Sequence, residues 1–195
     1  MLSKADKTRQ HIIEQSATLF NTKGYAATSM SDILEATGMA KGGIYGHFSS
    51  KDDIAVAAFA YGYEQLMIAI RAKTAVVATA REKLLAILAF YKNYSITPII
   101  PGGCILLNTA IDADDNIPFL KEKAKTALNE MLGGLQRIIQ MGIDNKEFNK
   151  TLNAKKEAEL FFALIEGGIM MAKLKDEPSM LNRMLDHLKQ NIHNW

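Results

Sequence analysis

The sequence predicts an all-α protein, and three observations predict it. Apolar residues recur at i, i+3, i+4 and i+7 along most of the chain, the spacing that gathers them on one helix face. Prolines stand at 98, 101, 118 and 178, and the long stretches between them hold little strand-like alternation. Serine or threonine three residues ahead of an acidic residue recurs at the head of apolar stretches, the capping-box spacing that opens helices. A length of 195 residues allows one large domain or two small ones. The one cysteine, Cys104, excludes an internal disulfide framework and suits a reducing compartment. No charged-then-apolar leader opens the sequence and no 18-residue apolar run occurs, so the expectation is a cytoplasmic protein that does not span a membrane.

The first helix is expected over about Lys4–Thr22, with Ile13, Ala17 and Phe20 on its apolar stripe and Gly24 closing it. The next stretch, Thr28–Lys51, reads as two short helices around a tight turn. Ser29 precedes Asp32 at capping-box spacing, and Gly38 ends the helix that they open. A second short helix begins near Ala40 and carries Lys41, Tyr45 and His47. Ser49 and Ser50, each three residues before an aspartate, stop it and start the next. Helix, glycine turn, helix is the layout of a helix-turn-helix, whose second helix enters the DNA major groove.

The residues within that layout are more specific than the layout. Arg9, Ile13, Ala17, Leu19, Phe20, Gly24, Tyr25, Thr28, Ser29, Ile33, Gly38, Lys41, Gly42, Tyr45, His47, Phe48, Ser50 and Lys51 stand in register with the motif of the TetR family of bacterial transcriptional regulators, which the chain resembles over its first quarter. The resemblance implies a three-helix DNA-binding domain over residues 1–50, and a larger helical domain over 51–195 for effector binding and dimerisation. It places Thr28, Lys41, Tyr45, His47 and Lys51 at DNA, with Ser29, Gly42 and Gly43 beside them. Lys41 reaches a phosphate or a guanine edge, and Tyr45 offers a ring to a thymine methyl or a hydroxyl to a phosphate. Through residue 51 the basic groups Lys4, Lys7, Arg9, Lys23, Lys41 and Lys51 face the acidic Asp6, Glu14, Asp32 and Glu35. That balance is too slight for tight binding by one module, so two modules on a palindrome are required. Two departures from the motif weaken the recognition helix. Ala40 supplies no capping hydroxyl, and glycines at 42, 43 and 46 each cost up to about 1 kcal/mol against alanine.

Further helices are expected over about Asp52–Lys73 and Thr79–Ser95, and, after the breaker TPIIPGG, over Cys104–Ala113. Residues 112–116 (DADDN) read as a polar cap for a helix entered at Pro118, with Ala124, Leu128, Met131, Leu135, Ile138 and Gly142 on its stripe. The helix 154–174 is apolar over more of its circumference than a surface helix needs, 179–193 carries an apolar stripe, and the two are expected to form a homodimer interface. The resemblance also implies a small, mostly hydrophobic effector held between the middle helices, its binding releasing the operator of a repressor. Residues expected to line that site are Tyr63, Met67, Phe90, Tyr91, Tyr94, Cys104, Asn108, Met131, Leu135, Phe162, Glu166 and Met170. Cys104, opening a short helix, also suggests a variant in which a thiolate senses electrophiles or oxidants.

An enzyme is not expected. The histidines (11, 47, 187 and 193) are scattered, no Glu-x-x-His pair occurs, and no phosphate-binding glycine loop is present. No metal and no cofactor are expected. A helical carrier of hydrophobic compounds, without DNA, is the alternative from another class.

Overall fold

The structure, a computed structural model, describes residues 3–94, 96–114 and 116–195. Its helices are α1 (Lys4–Lys23), α2 (Met30–Thr37), α3 (Lys41–Tyr45), α4 (Lys51–Thr74), α5 (Ala80–Lys92), α6 (Ile105–Ala113), α7 (Pro118–Asp144), α8 (Ala154–Leu174) and α9 (Ser179–Asn194), with no strand among the described residues. Ser95 and Asp115, expected at the end of α5 and in the cap before α7, lie outside the described residues.

The chain forms two compact units, Met1–Gln65 with Ile99–Thr126, and Leu66–Pro98 with Ala127–Trp195. Helices α4 and α7 each contribute to both. The first unit takes in more than residues 1–50, because the segment from Pro101 to Asp112 is hydrogen-bonded to the end of α1 and the turn after it. Its core is built on Ile12, Ile13, Ile33, Ile44, Phe48 and Ile54. Gly38 ends α2 at φ 65°, the left-handed conformation that costs glycine no Cβ clash. Helix α3 stops at Tyr45, and His47, expected within it, lies in the following turn. Glycine at 42, 43 and 46 accounts for the early end.

In the second unit, Thr79 and Glu82 form the capping box of α5, while the Glu147 carboxylate accepts the N–H groups of Ala80 and Arg81 at 3.1 Å each. Helix α8 packs on α9, and closely at Gly168, where an added Cβ would come within 2.9 Å of Leu181 Cδ1. The buried side of α7 keeps the expected Ala124, Met131, Leu135 and Gly142, with Ala127 and Ile139 in place of the expected Leu128 and Ile138. By length and composition α4 is apolar enough to cross a membrane, although Glu64 and Gln65 break its apolar run. Its Ile54, Ala58, Phe59, Tyr63, Leu66 and Ile70 are buried inside the protein, the pattern of a core helix.

Candidate nucleic-acid interface and effector groove

Local chemistry sets the helix-turn-helix. The Ser29 hydroxyl accepts the Asp32 N–H at 3.1 Å, and the Asp32 carboxylate accepts the Ser29 N–H at 2.7 Å. Lys23 reaches the same carboxylate at 2.8 Å. That ammonium, followed by the Ser29 backbone and hydroxyl, holds the Asp32 carboxyl well below the usual carboxylate range. Ala40 gives α3 no side-chain cap, so the burial of Ile44 anchors the short helix from beneath. On its outer side Lys41, Gly42 and Tyr45 are exposed together, Tyr45 at 44 %, with the Lys41 ammonium 5.7 Å from the Tyr45 ring centroid. Space around Gly42 is open, while Gly43 is half-buried against Met39. His47 is half-buried in the turn beyond, and Arg9 lies over the Phe48 ring at 4.7 Å from its centroid.

Two of the expected DNA residues are hydrogen-bonded within the protein. Thr28 is fully enclosed, and its hydroxyl donates to the Gly24 carbonyl at 2.7 Å. Lys51 donates to the carbonyls of Tyr25 and Thr28 at 3.0 Å each, and its ammonium stands 4.0 Å from the Tyr25 ring centroid. Both side chains therefore hold the turn between α1 and α2 in place. Ser29 is exposed, but its hydroxyl is committed to Asp32.

Tyr25 is the hub of that turn. Its N–H donates to the Asp112 carboxylate of α6, its hydroxyl donates to Asp52 of α4, and its ring stacks on Phe20 and meets Phe119 edge-on. Asp112, expected in a cap for α7, thus belongs to α6 and grips the α1–α2 turn. Asn108, expected as a polar handle for a ligand, is likewise spent on structure. Its Nδ2 donates to the Asn21 carbonyl and side chain and to the Gly102 carbonyl, while Asn21 donates to Pro101 and Gly103.

Burial first, then the Asp52 carboxylate, pushes the Tyr25 phenol up to about 12 from an ordinary 10.0. The folded protein therefore holds this proton more tightly than the unfolded chain. The associated stability is fully present below pH 10 and is lost as pH rises toward 12. Tyr25→Phe is expected to cost about 1 kcal/mol at pH 8 in denaturant unfolding. The gap between variant and wild type should shrink above pH 10, and a gap unchanged up to pH 12 would contradict the assignment.

A groove of about 550 Å³ opens in the second unit between α4, α5 and α7. Of the residues expected at an effector, Met67, Met131 and Leu135 line it. Tyr63, Phe90, Tyr91, Tyr94, Cys104, Asn108, Phe162, Glu166 and Met170 do not. Tyr63 stacks on Phe59, and Phe90, Tyr91 and Tyr94 pack on one another with centroids 5.0 to 5.6 Å apart. Phe162 and Glu166 are buried on α8, whereas Met170 faces outward from that helix at 47 % exposure. Cys104 is 1 % exposed, so the accessible thiolate that electrophile sensing needs is absent. The sequence reading missed Arg71, Lys83 and Arg137, which stand at the groove among its apolar residues. A signal was present in Arg71 and Arg137, which directly adjoin the apolar Ile70 and Ile138 in the sequence. Among the described residues, no group of three or more His, Cys, Asp or Glu could hold a metal ion.

Comparisons with known proteins agree with this architecture. Residues 12–58 match the family model described as bacterial regulatory proteins, tetR family, and residues 80–188 match that of a tetracyclin repressor-like C-terminal domain. A TetR-family transcriptional regulator from Cytophaga hutchinsonii superposes with a TM-score of 0.91 at 37 % identity, over 100 % of this chain and 97 % of that one. A TetR transcriptional regulator from Chloroflexus aurantiacus J-10-FL does so with a TM-score of 0.94 at 36 % identity, over 98 % and 96 %. A fatty acid metabolism regulator protein of Bacillus subtilis (strain 168) is 25 % identical over 100 % of both chains. The chain belongs to the TetR family of transcriptional regulators, which are DNA-binding transcription factors and not enzymes.

Proposed function

We propose that this protein is a cytoplasmic repressor that binds a palindromic operator as a homodimer and is released by a small, mostly hydrophobic effector. The observation that carries the DNA-binding part is the joint exposure of Lys41, Gly42 and Tyr45 on a short helix seated on Ile44. DNA contact is assigned to Lys41, Tyr45 and His47, with close backbone approach at Gly42 and Gly43. Residues 1–50 are the DNA-binding part, and 51–195 serve the effector and the dimer. The groove lined by Met67, Met131 and Leu135 is the effector site, a reading supported by its volume within the range of about 300–1,000 Å³ typical of small-molecule sites. The full-length similarity to a fatty acid metabolism regulator supports an apolar effector. Because α4 contributes both to the groove and to the unit that contains α3, an effector that binds best when α4 is tilted favours release.

The test is binding of the purified protein to duplexes from its own upstream region at two salt concentrations. Tight binding that weakens with salt is expected, reduced at least about tenfold in a Lys41→Ala, Tyr45→Ala variant. Binding of equal strength in that variant would contradict the assigned face. Failure to bind any fragment of the genome would instead favour a helical carrier of hydrophobic compounds.

A further inference from the structure

We infer that the effector carries a flat aromatic ring system, lying in the α4–α5–α7 groove against Met67, Met131 and Met141 and stacked on the Arg137 guanidinium. The inference rests on the reading of that groove as the effector site and adds the chemical class of the ligand.

Most of the groove's wall is apolar. Ile70, Ile87, Met131 and Leu135 are buried there, and Met67, Ile138 and Met141 are half-buried. Two of its polar side chains are engaged within the protein. The Lys83 ammonium donates to the carbonyls of Thr74 and Val77 at 2.7 Å each. The Thr74 hydroxyl donates to the carbonyls of Ile70 and Arg71 at 3.1 and 3.2 Å. Both are thereby committed to the end of α4, and two other features are left to select a ligand.

The first is sulfur. Methionine stands on both sides of the groove, Met67 on α4 and Met131 and Met141 on α7. A polarisable thioether makes favourable contacts with the edge of an aromatic ring, a gain that a saturated ring does not offer. The second is a planar cation. Arg137 is exposed on α7, and its guanidinium lies back over Gly133 and Gly134, where added Cβ atoms would stand 3.4 and 3.9 Å from its nitrogens. That pair of glycines, costly within a helix, thus leaves room for a guanidinium close to the helix. Gly134 and Arg137 both line the groove, so the cation stands beside a ring that rests on the methionines. Guanidinium groups stack on aromatic rings, whose faces are electron-rich. A saturated hydrophobe would fill the same volume and use neither the sulfurs nor the cation.

The experiment titrates the full-length protein with 2-naphthol and with decahydro-2-naphthol, which keeps the carbon skeleton and the hydroxyl but has saturated rings. Water rejects the saturated compound more strongly, so hydrophobic burial by itself favours it. Calorimetry should nevertheless show 2-naphthol binding at least about tenfold more tightly, the combined gain of the cation–π and sulfur contacts. Arg137→Gln should remove most of that preference and Met67→Leu a smaller part, each leaving the affinity for decahydro-2-naphthol unchanged. Arg137 is exposed and Met67 half-buried, so helicity and thermal midpoint should match wild type. Ile138→Trp, which fills the groove from a half-buried position, should weaken both ligands. Equal binding of the two compounds to wild type would overturn the aromatic class while leaving the groove as effector site, and so would a preference that survives both Arg137→Gln and Met67→Leu. Binding that Ile138→Trp leaves untouched, or no binding by either compound, would overturn both.

Discussion

Ile44→Ala is expected to reduce operator affinity by roughly a hundredfold while leaving the second unit folded. Ile44 is fully buried among Ile12, Ile13, Ile33, Phe48 and Ile54. Truncating a buried isoleucine costs about 2–5 kcal/mol, the lost transfer energy together with the cavity that neighbours cannot fill. Elsewhere such a loss is shared by a large core, but α3 has little else to hold it. It is five residues long, two of them glycine, and its N-terminus lacks a side-chain cap. A loss of about 3 kcal/mol in forming the face that carries Lys41 and Tyr45 translates into about two orders of magnitude in affinity. Fluorescence anisotropy on an operator duplex reads the loss, and circular dichroism reads the helices that remain. An affinity within about twofold of wild type would show that α3 is ordered by something other than Ile44.

The second large effect concerns assembly. Leu160, Met170 and Leu174 are exposed on α8, with Leu174 at 80 %, and the half-buried Leu164, Gly167 and Met171 complete one outward stripe. Such a stripe on a helix already packed on α9 suits a two-fold interface in which the same face meets itself. Leu160→Glu with Met170→Glu replaces exposed positions, so the protomer should fold normally. Pairing two copies would then bury four carboxylates without partners, at several kcal/mol each. Sedimentation velocity should give a dimer for wild type and a monomer for the variant. Operator binding should fall at least about a hundredfold with it, since one module meets only one half-site. A variant that stays dimeric would place the interface elsewhere.

What the sequence disclosed and what it hid follow the range of the interactions involved. Helix ends were legible because their chemistry lies within three or four residues: Ser29 with Asp32, Thr79 with Glu82, and Gly38 in its left-handed turn. The exposed Lys41 and Tyr45 were legible for the same reason, since helical spacing alone separates them from Ile44. The contacts of Lys51 were hidden because they depend on how α4 returns to the α1–α2 turn. Asp112 reaches a partner 87 residues away in sequence, and so does Asn108, which no local pattern reveals. The aromatic residues were the least legible. Phe90, Tyr91 and Tyr94 repeat at spacings that a core and a ligand site share, and only packing assigned them to one another.

The central claim is that occupancy of the groove is read out at the DNA-binding helices. The most direct measurement is the distance between the two protomers' α2 helices, from spin labels on Glu35→Cys, with and without a compound that dissociates the operator complex. Glu35 is exposed and the native Cys104 is buried, so the label enters at one position. The account predicts that the compound shifts the distance by several ångströms, and that the shift vanishes in Ile138→Trp. An unchanged distance, with the operator nevertheless released, would contradict it.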